Sequence, residues 1–189
     1  MRRLRYMVAM SLDGFIAGPQ GEADWIVMDP DVDFAGMFEA CDTLLMGRRT
    51  WDVAKGGGPG AFGGMSIVVV SRTLTQADHP KITIISDDLG ARVRAVLDRP
   101  GKDVWLFGGG RLFASLHDLG LVDRIEVGVM PVVLGQGVPL AQPIGSRAGL
   151  TLTGHTIYPK TGVVGLEYDV VRTGAGKGAR RAAKARAKR

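Results

Sequence analysis

Apolar and polar positions along this chain switch between two periods. Over residues 4–10 the apolar side chains read as a strand, and over 31–41 they fall at i, i+3, i+4 and i+7 (Phe34, Met37, Phe38, Cys41), which predicts an amphipathic helix. Residues 43–46 form a short apolar strand ending at Gly47. The run SIVVV at 66–70 has no polar alternation, the pattern of a strand buried on both faces, and 82–85 repeats it. Leu89, Val93, Val96 and Leu97 mark one face of a helix, 104–107 a further strand, and Leu112, Leu116 and Leu119 the face of the helix after it. From residue 124 onward the helical period disappears, and 125–130, 150–157 and 163–171 are all strand-like. Strands and helices in alternation, followed by strands alone, predict an α/β fold with a mostly parallel central sheet, flanking helices and an antiparallel C-terminal hairpin. The Gly-rich stretch GGGPGAFGG at 56–64 reads as a mobile loop.

Composition narrows the class. With 189 residues and 46% hydrophobic content, one domain with a sizeable core is expected over 1–173. No apolar run approaches the roughly 18 residues of a membrane helix, and the opening MRRLRYMVAM is interrupted too early for a signal peptide, so a cytoplasmic protein is expected. The lone Cys41 reads as a buried thiol, and the three scattered histidines offer no metal-ligand spacing, so no metal is expected. The net charge of +5 belongs to the tail. Residues 174–189, GAGKGARRAAKARAKR, hold seven cations and no acid, so the preceding 17 cations face 19 acids. That tail has almost nothing to bury and reads as a disordered or fraying-helical appendage, with nonspecific phosphate contact to nucleic acid as the alternative role.

The chemistry gathers where strands end, which is where open α/β sheets hold ligands. Gly47-Arg48-Arg49-Thr50 follows one strand, Ser71-Arg72-Thr73 another, and Gly108-Gly109-Gly110-Arg111 a third. Guanidinium groups, hydroxyls and bare backbone N–H groups are partners for phosphate oxygens. Taken singly, the arginines are equally well surface ion pairs, Thr50 and Ser71 helix or turn caps, and the glycines a tight corner. The glycine stretch matches neither G-x-G-x-x-G, since Phe113 stands in the last glycine's place, nor a P-loop, since no Gly-Lys-Ser/Thr follows.

Five segments in order carry a resemblance: YMVAMSLDGFIAG, TLLMGRRTWD, IVVVSRTL, VWLFGGGRLFASL and GLVDRIEVGVMPVVLGQGVPL. Together they resemble the dihydrofolate reductase-like fold, in the branch similar to the pyrimidine reductase domain of riboflavin biosynthesis. The resemblance covers 1–173 and implies an NADPH-dependent oxidoreductase acting on a small-molecule substrate, and a homodimer. It implies that Gly108, Gly109, Gly110, Arg111 and Leu112 lie against the pyrophosphate and nicotinamide half of the cofactor. It likewise implies that Gly47, Arg48, Arg49 and Thr50 meet its phosphates, that Ser71 and Arg72 hold the adenosine ribose phosphate, and that the backbone of Ala9 and Ile16 pairs with the carboxamide. Charge-assisted Arg contacts with a 2′-phosphate amount to about a 100-fold preference for NADPH over NADH.

The proton donor is less plain. A dihydrofolate reductase carries one carboxyl in the first turn of the helix after its first loop, but at that offset from Trp25 this chain has Pro30. Asp31 and Asp33 follow that position near the helix start, where either doubles as a cap; Asp13, in Ser-Leu-Asp-Gly, is the third candidate and doubles as a turn residue. Folate itself is disfavoured, because the arginine expected after Trp51 is missing and 52–65 hold only Lys55. No Pro-Cys-x-x-Cys accompanies the reductase segments, so an attached deaminase domain is not expected. The closest model is the 5-amino-6-(5-phosphoribosylamino)uracil reductase type, with dihydrofolate reductase and a nucleic-acid-associated protein acting through its tail as alternatives.

Overall fold

The computed structural model describes residues 1–57, 62–145 and 147–171. The basic tail and the middle of the Gly-rich stretch lie outside the described residues. Ten strands and four α-helices follow one another as β1 (Leu4–Ser11), β2 (Phe15–Ala17), α1 (Phe34–Ala40), β3 (Cys41–Gly47), α2 (Arg48–Ala54), β4 (Ser66–Val70), β5 (Thr83–Ile85), α3 (Leu89–Leu97), β6 (Asp103–Gly108), α4 (Gly110–Asp118), β7 (Arg124–Met130), β8 (Val138–Pro139), β9 (Gly149–Tyr158) and β10 (Val163–Val171). Eight of the strands form one sheet in the order β5-β4-β3-β6-β1-β7-β10-β9. The first six in that order are mutually parallel and the last two antiparallel, the α/β sheet with a C-terminal hairpin that the periodicity predicts.

Alternation along β1 divides the molecule into two layers. Leu4 and Tyr6 point to the side covered by α3 and α4, where they join Val93, Leu97, Leu106 and Leu116 in one buried cluster. Met7 points to the other side, where Leu44, Met46, Val69 and Trp105 form a second cluster, closed by Met37 of α1 and Trp51 of α2. β3, β4 and β6 place apolar side chains on both faces, which is why they carry the continuous apolar runs 44–46, 67–70 and 104–107.

Three elements depart from the pattern. The helix predicted over 31–41 starts only at Phe34, because Asp33 caps it by accepting the Gly36 N–H at 2.8 Å. It also stops at Ala40, since Cys41 is already extended (φ −124°, ψ 151°) and opens β3. The buried thiol is correct, but strand packing buries it; burial raises its pKa to about 11. The periodicity also misses α2 and the small antiparallel pair β2–β8, which straps the mouth of the sheet.

Candidate active site

A cleft of ≈ 1880 Å³ opens at the C-terminal ends of β1, β3, β4 and β6 and runs down the Met7 face of the sheet. Its volume exceeds the roughly 300–1,000 Å³ that one small ligand fills, so it has room for two. Gly47 to Thr50, Ser71 and Arg72, and Gly108 to Leu112 all line it, as do Ala9 and Ile16. The fold thus brings every position tied to the cofactor by resemblance to one cleft.

One half of the cleft gathers cationic side chains, hydroxyls and bare glycine backbone. Arg48 leaves the end of β3 on the first turn of α2, pairs with Asp52 at 3.3 Å and donates to the Thr73 hydroxyl, so it bridges the β3 and β4 ends. Arg49, Arg72 and Arg111 make no ion pair or side-chain hydrogen bond among the described residues. The Ser71 hydroxyl is a turn cap, accepting the N–H groups of Thr73 (3.2 Å) and Leu74 (3.0 Å). The three glycines differ in what they need. Gly108 sits at φ +140°, a conformation side chains avoid, beside the Thr50 hydroxyl, and the Gly108–Gly109 peptide is cis. A Cβ on Gly110 would fall 2.3 Å from the Pro139 carbonyl oxygen, so this glycine lets β8 pack on the start of α4. No side chain caps α4, and Gly110, Arg111 and Leu112 of its first turn line the cleft.

The candidate acids are not brought together. Asp13 lies outside the cleft: it accepts from the Ser11 hydroxyl (2.6 Å) and from the N–H groups of Leu134 (3.1 Å) and Gly135 (2.7 Å), tying the β1–β2 turn to the loop before β8. The Ser11 bond foremost, with the two amides, holds its carboxyl below the usual range, the reverse of what a proton donor needs. Asp31 is also off the cleft, exposed and paired with Lys160 at 2.8 Å. Both therefore give way as catalytic candidates. Asp33 borders the cleft while its Oδ1 caps α1.

The other half of the cleft is apolar with a charged floor. Met28, Val32, Met37, Trp105 and Phe107 form its walls. Across the floor, Arg5 of β1 donates from Nε and from one terminal nitrogen to the two oxygens of Glu126 on β7, each at 2.8 Å. Both side chains are about 15% exposed, at 14% and 15%. Glu126, chiefly through these hydrogen bonds, raises the pKa of the Arg5 guanidinium above its ordinary value. Arg124 approaches the same carboxylate at 3.1 Å and donates to Glu167 of β10. Sequence reasoning missed this network. Its one signal was a charge inside each of two otherwise apolar strands, at Arg5 and Glu126.

With the cleft in place, comparison with known proteins is informative. The family model described as the RibD C-terminal domain matches residues 2–164. The chain belongs to the RibD C-terminal domain family. Among curated relatives it is 35% identical to the uncharacterized protein YyaP of Bacillus subtilis over 88% of this chain and 94% of the relative. A second Bacillus subtilis relative, the uncharacterized protein YwjB, is 26% identical over 81% of this chain and 90% of its own. Among solved structures, a putative riboflavin biosynthesis protein from Shewanella sp. PV-4 superposes with a TM-score of 0.76 at 26% identity, covering 91% of this chain and 100% of that one. A dihydrofolate reductase from Enterococcus faecalis in complex with NADP(H) shares the fold alone, with a TM-score of 0.64 at 16% identity over 89% and 94% of the two chains. The RibD-type assignment and the dihydrofolate reductase-like fold both agree with the ordered motifs. No helix among the described residues is long and apolar enough to cross a membrane.

Proposed function

We propose that the protein is a cytoplasmic NADPH-dependent reductase that transfers a hydride to a small heterocyclic or carbonyl substrate, with 5-amino-6-(5-phosphoribosylamino)uracil reductase as the chemical model. The observation that carries this reading is the gathering of Arg48, Arg49, Arg72 and Arg111 with the uncapped start of α4 in one half of the cleft. Such a donor set fits a 2′-phosphate and a pyrophosphate. NADPH, when bound, supplies the hydride. The residues of the chain bind and align: the arginines take the phosphate oxygens, Thr50 and the bare Gly108–Gly109 backbone admit the pyrophosphate, and Ala9 and Ile16 hold the carboxamide. Asp33, the one candidate acid bordering the cleft, has its Oδ2 left to deliver the proton.

Fluorescence titration with NADPH and NADH in parallel tests the reading. Arg48→Ala should weaken NADPH about 10- to 100-fold, as expected for one lost charge-assisted contact, and leave NADH nearly unchanged. Absence of binding by either nucleotide would refute the reductase reading. The folate alternative gains no support, since Lys55, the one cation after Trp51 in that segment, pairs with Asp52 at 2.8 Å. The nucleic-acid alternative rests on the tail, outside the described residues. The reading also includes a homodimer, for which the open face of the edge strand β9 offers a surface.

A further inference from the structure

The resemblance gives the adenosine ribose phosphate to Ser71 and Arg72, but the hydrogen bonds at the end of β4 divide the hydroxyls there differently. A hydroxyl has one proton to donate and two lone pairs that accept. Both lone pairs of Ser71 Oγ are in use, accepting the N–H groups of Thr73 at 3.2 Å and Leu74 at 3.0 Å. The same oxygen lies 3.3 Å from Thr73 Oγ1, and with no lone pair left Ser71 is the donor of that pair. Ser71 is 5% exposed. Its hydroxyl is therefore used up inside the turn, with nothing left for a ligand.

Thr73 has the complementary count. Its Oγ1 accepts the Ser71 proton and a terminal N–H of Arg48, which fills both lone pairs. The Thr73 proton then has no acceptor among the described residues, on an exposed side chain that lines the cleft. A hydroxyl whose oxygen is filled can only donate, and a lone donor beside a guanidinium suits an anion.

Arg48 is fixed from two sides. Register sets Gly47 beside Val70, so Arg48 and Ser71 start at neighbouring strand ends. Arg48 Nε donates to Asp52 at 3.3 Å while a terminal nitrogen reaches Thr73. Lys55 holds the other Asp52 oxygen at 2.8 Å. The carboxylate thus has a use among these cations, since it aims the guanidinium across the gap between β3 and β4.

We infer that Thr73, in place of Ser71, donates to the 2′-phosphate of the cofactor, and that it also holds Arg48 against the same phosphate. This rests on the reductase reading of the cleft and moves one contact that the resemblance gives to Ser71. Ser71 shapes the turn, so its loss acts alike on any nucleotide that binds. Thr73 meets the phosphate, so its loss acts on the phosphorylated cofactor alone.

The test is a tryptophan-fluorescence titration of the full chain with NADPH and NADH, and with adenosine 2′,5′-bisphosphate and adenosine 5′-monophosphate, which report the phosphate without the nicotinamide. Thr73→Val should weaken NADPH and the bisphosphate about 10-fold or more, as for one lost hydrogen bond to a charged group, and leave NADH and the monophosphate unchanged. Thr73→Ser keeps the hydroxyl and should restore wild-type preference, which a loss of packing would not do. Ser71→Ala should keep the NADPH-to-NADH preference. An unchanged preference in Thr73→Val, a preference lost in Ser71→Ala, or a wild type that binds NADH as tightly as NADPH would each overturn the inference. The two Thr73 variants change an exposed side chain, so they carry the test even if Ser71→Ala fails to fold. Failure of both nucleotides to bind wild type would instead sink the reductase reading, which keeps the two outcomes apart.

Discussion

At the scale of single residues, the same amino acid type takes different roles according to its partners. Asp13 and Asp33 both accept backbone N–H groups, yet Asp13 is fully engaged away from the cleft and Asp33 borders it. Asp33→Asn should therefore lower hydride-transfer turnover, whereas Asp13→Asn should leave it unchanged. The second change acts on stability. Because the carboxyl of Asp13 titrates below its unfolded value, its contribution is present above the ordinary carboxylate range and is lost as pH falls through the lowered value. Thermal melts of Asp13→Asn and wild type should accordingly differ at pH 7 and converge toward pH 2. Gly110 is decided by contact alone: Gly110→Ala drives a methyl into the Pro139 carbonyl, and urea denaturation should report a loss of about 1–3 kcal/mol. Neither Asp13's engagement nor Gly110's contact was legible in the chain. Asp-Gly and Gly-Gly-Gly read as turns, while the partners that give them meaning lie between 29 residues (Gly110 to Pro139) and 122 residues (Asp13 to Gly135) away.

Elements whose apolar side chains repeat over two turns or five strand positions were legible, and short ones were not. The reading of α3 and β4 matches their bounds, because an amphipathic face of nine residues and an apolar run of five leave little choice of period. By contrast, β2 and β8 have three and two residues, and α2 is a seven-residue helix with no fully buried position. The segment before α1 is held by tertiary ties. Asp29, 2% exposed, accepts the Thr161 hydroxyl at 2.6 Å, and Asp31 pairs with Lys160, joining this segment to the β9–β10 turn. The Thr161 bond foremost lowers the Asp29 carboxyl below its usual range, so the tie persists above that range and is released on acidification. Thr161→Val should raise amide hydrogen exchange at 29–33 about tenfold at pH 7, with α3 and α4 unaffected. Unchanged exchange would show that Lys160–Asp31 alone holds the segment.

At the scale of the molecule, β9 is the last strand of the sheet, with no strand beyond it among the described residues. Register places Leu150, Leu152, His155 and Ile157 opposite Val170, Tyr168, Leu166 and Val164, on the side of the sheet that α3 and α4 cover only farther in. Leu152 and Ile157 are 52% and 65% exposed, an apolar edge of the kind that monomers avoid. Sedimentation velocity should therefore give a dimer for wild type and a monomer for Leu152→Glu/Ile157→Glu. A monomeric wild type, or a dimer that survives both substitutions, would remove this surface from consideration.

The sequence by itself determined the α/β class, the parallel strands with their closing hairpin, and the family. Each of these follows from local period or from ordered motifs that contiguous residues carry. It also located the strand ends whose arginines, hydroxyls and glycines the structure gathers in one half of the cleft, because strand ends are local features and open α/β sheets bind ligands there. Only the tertiary structure decided that Asp13 is a tether, that Gly110 answers to β8, and that Arg5 meets Glu126 across 121 residues of chain. Hydrogen bonds and charge pairs between distant strands depend on register, and register is set when the sheet assembles, leaving no local period by which to read it.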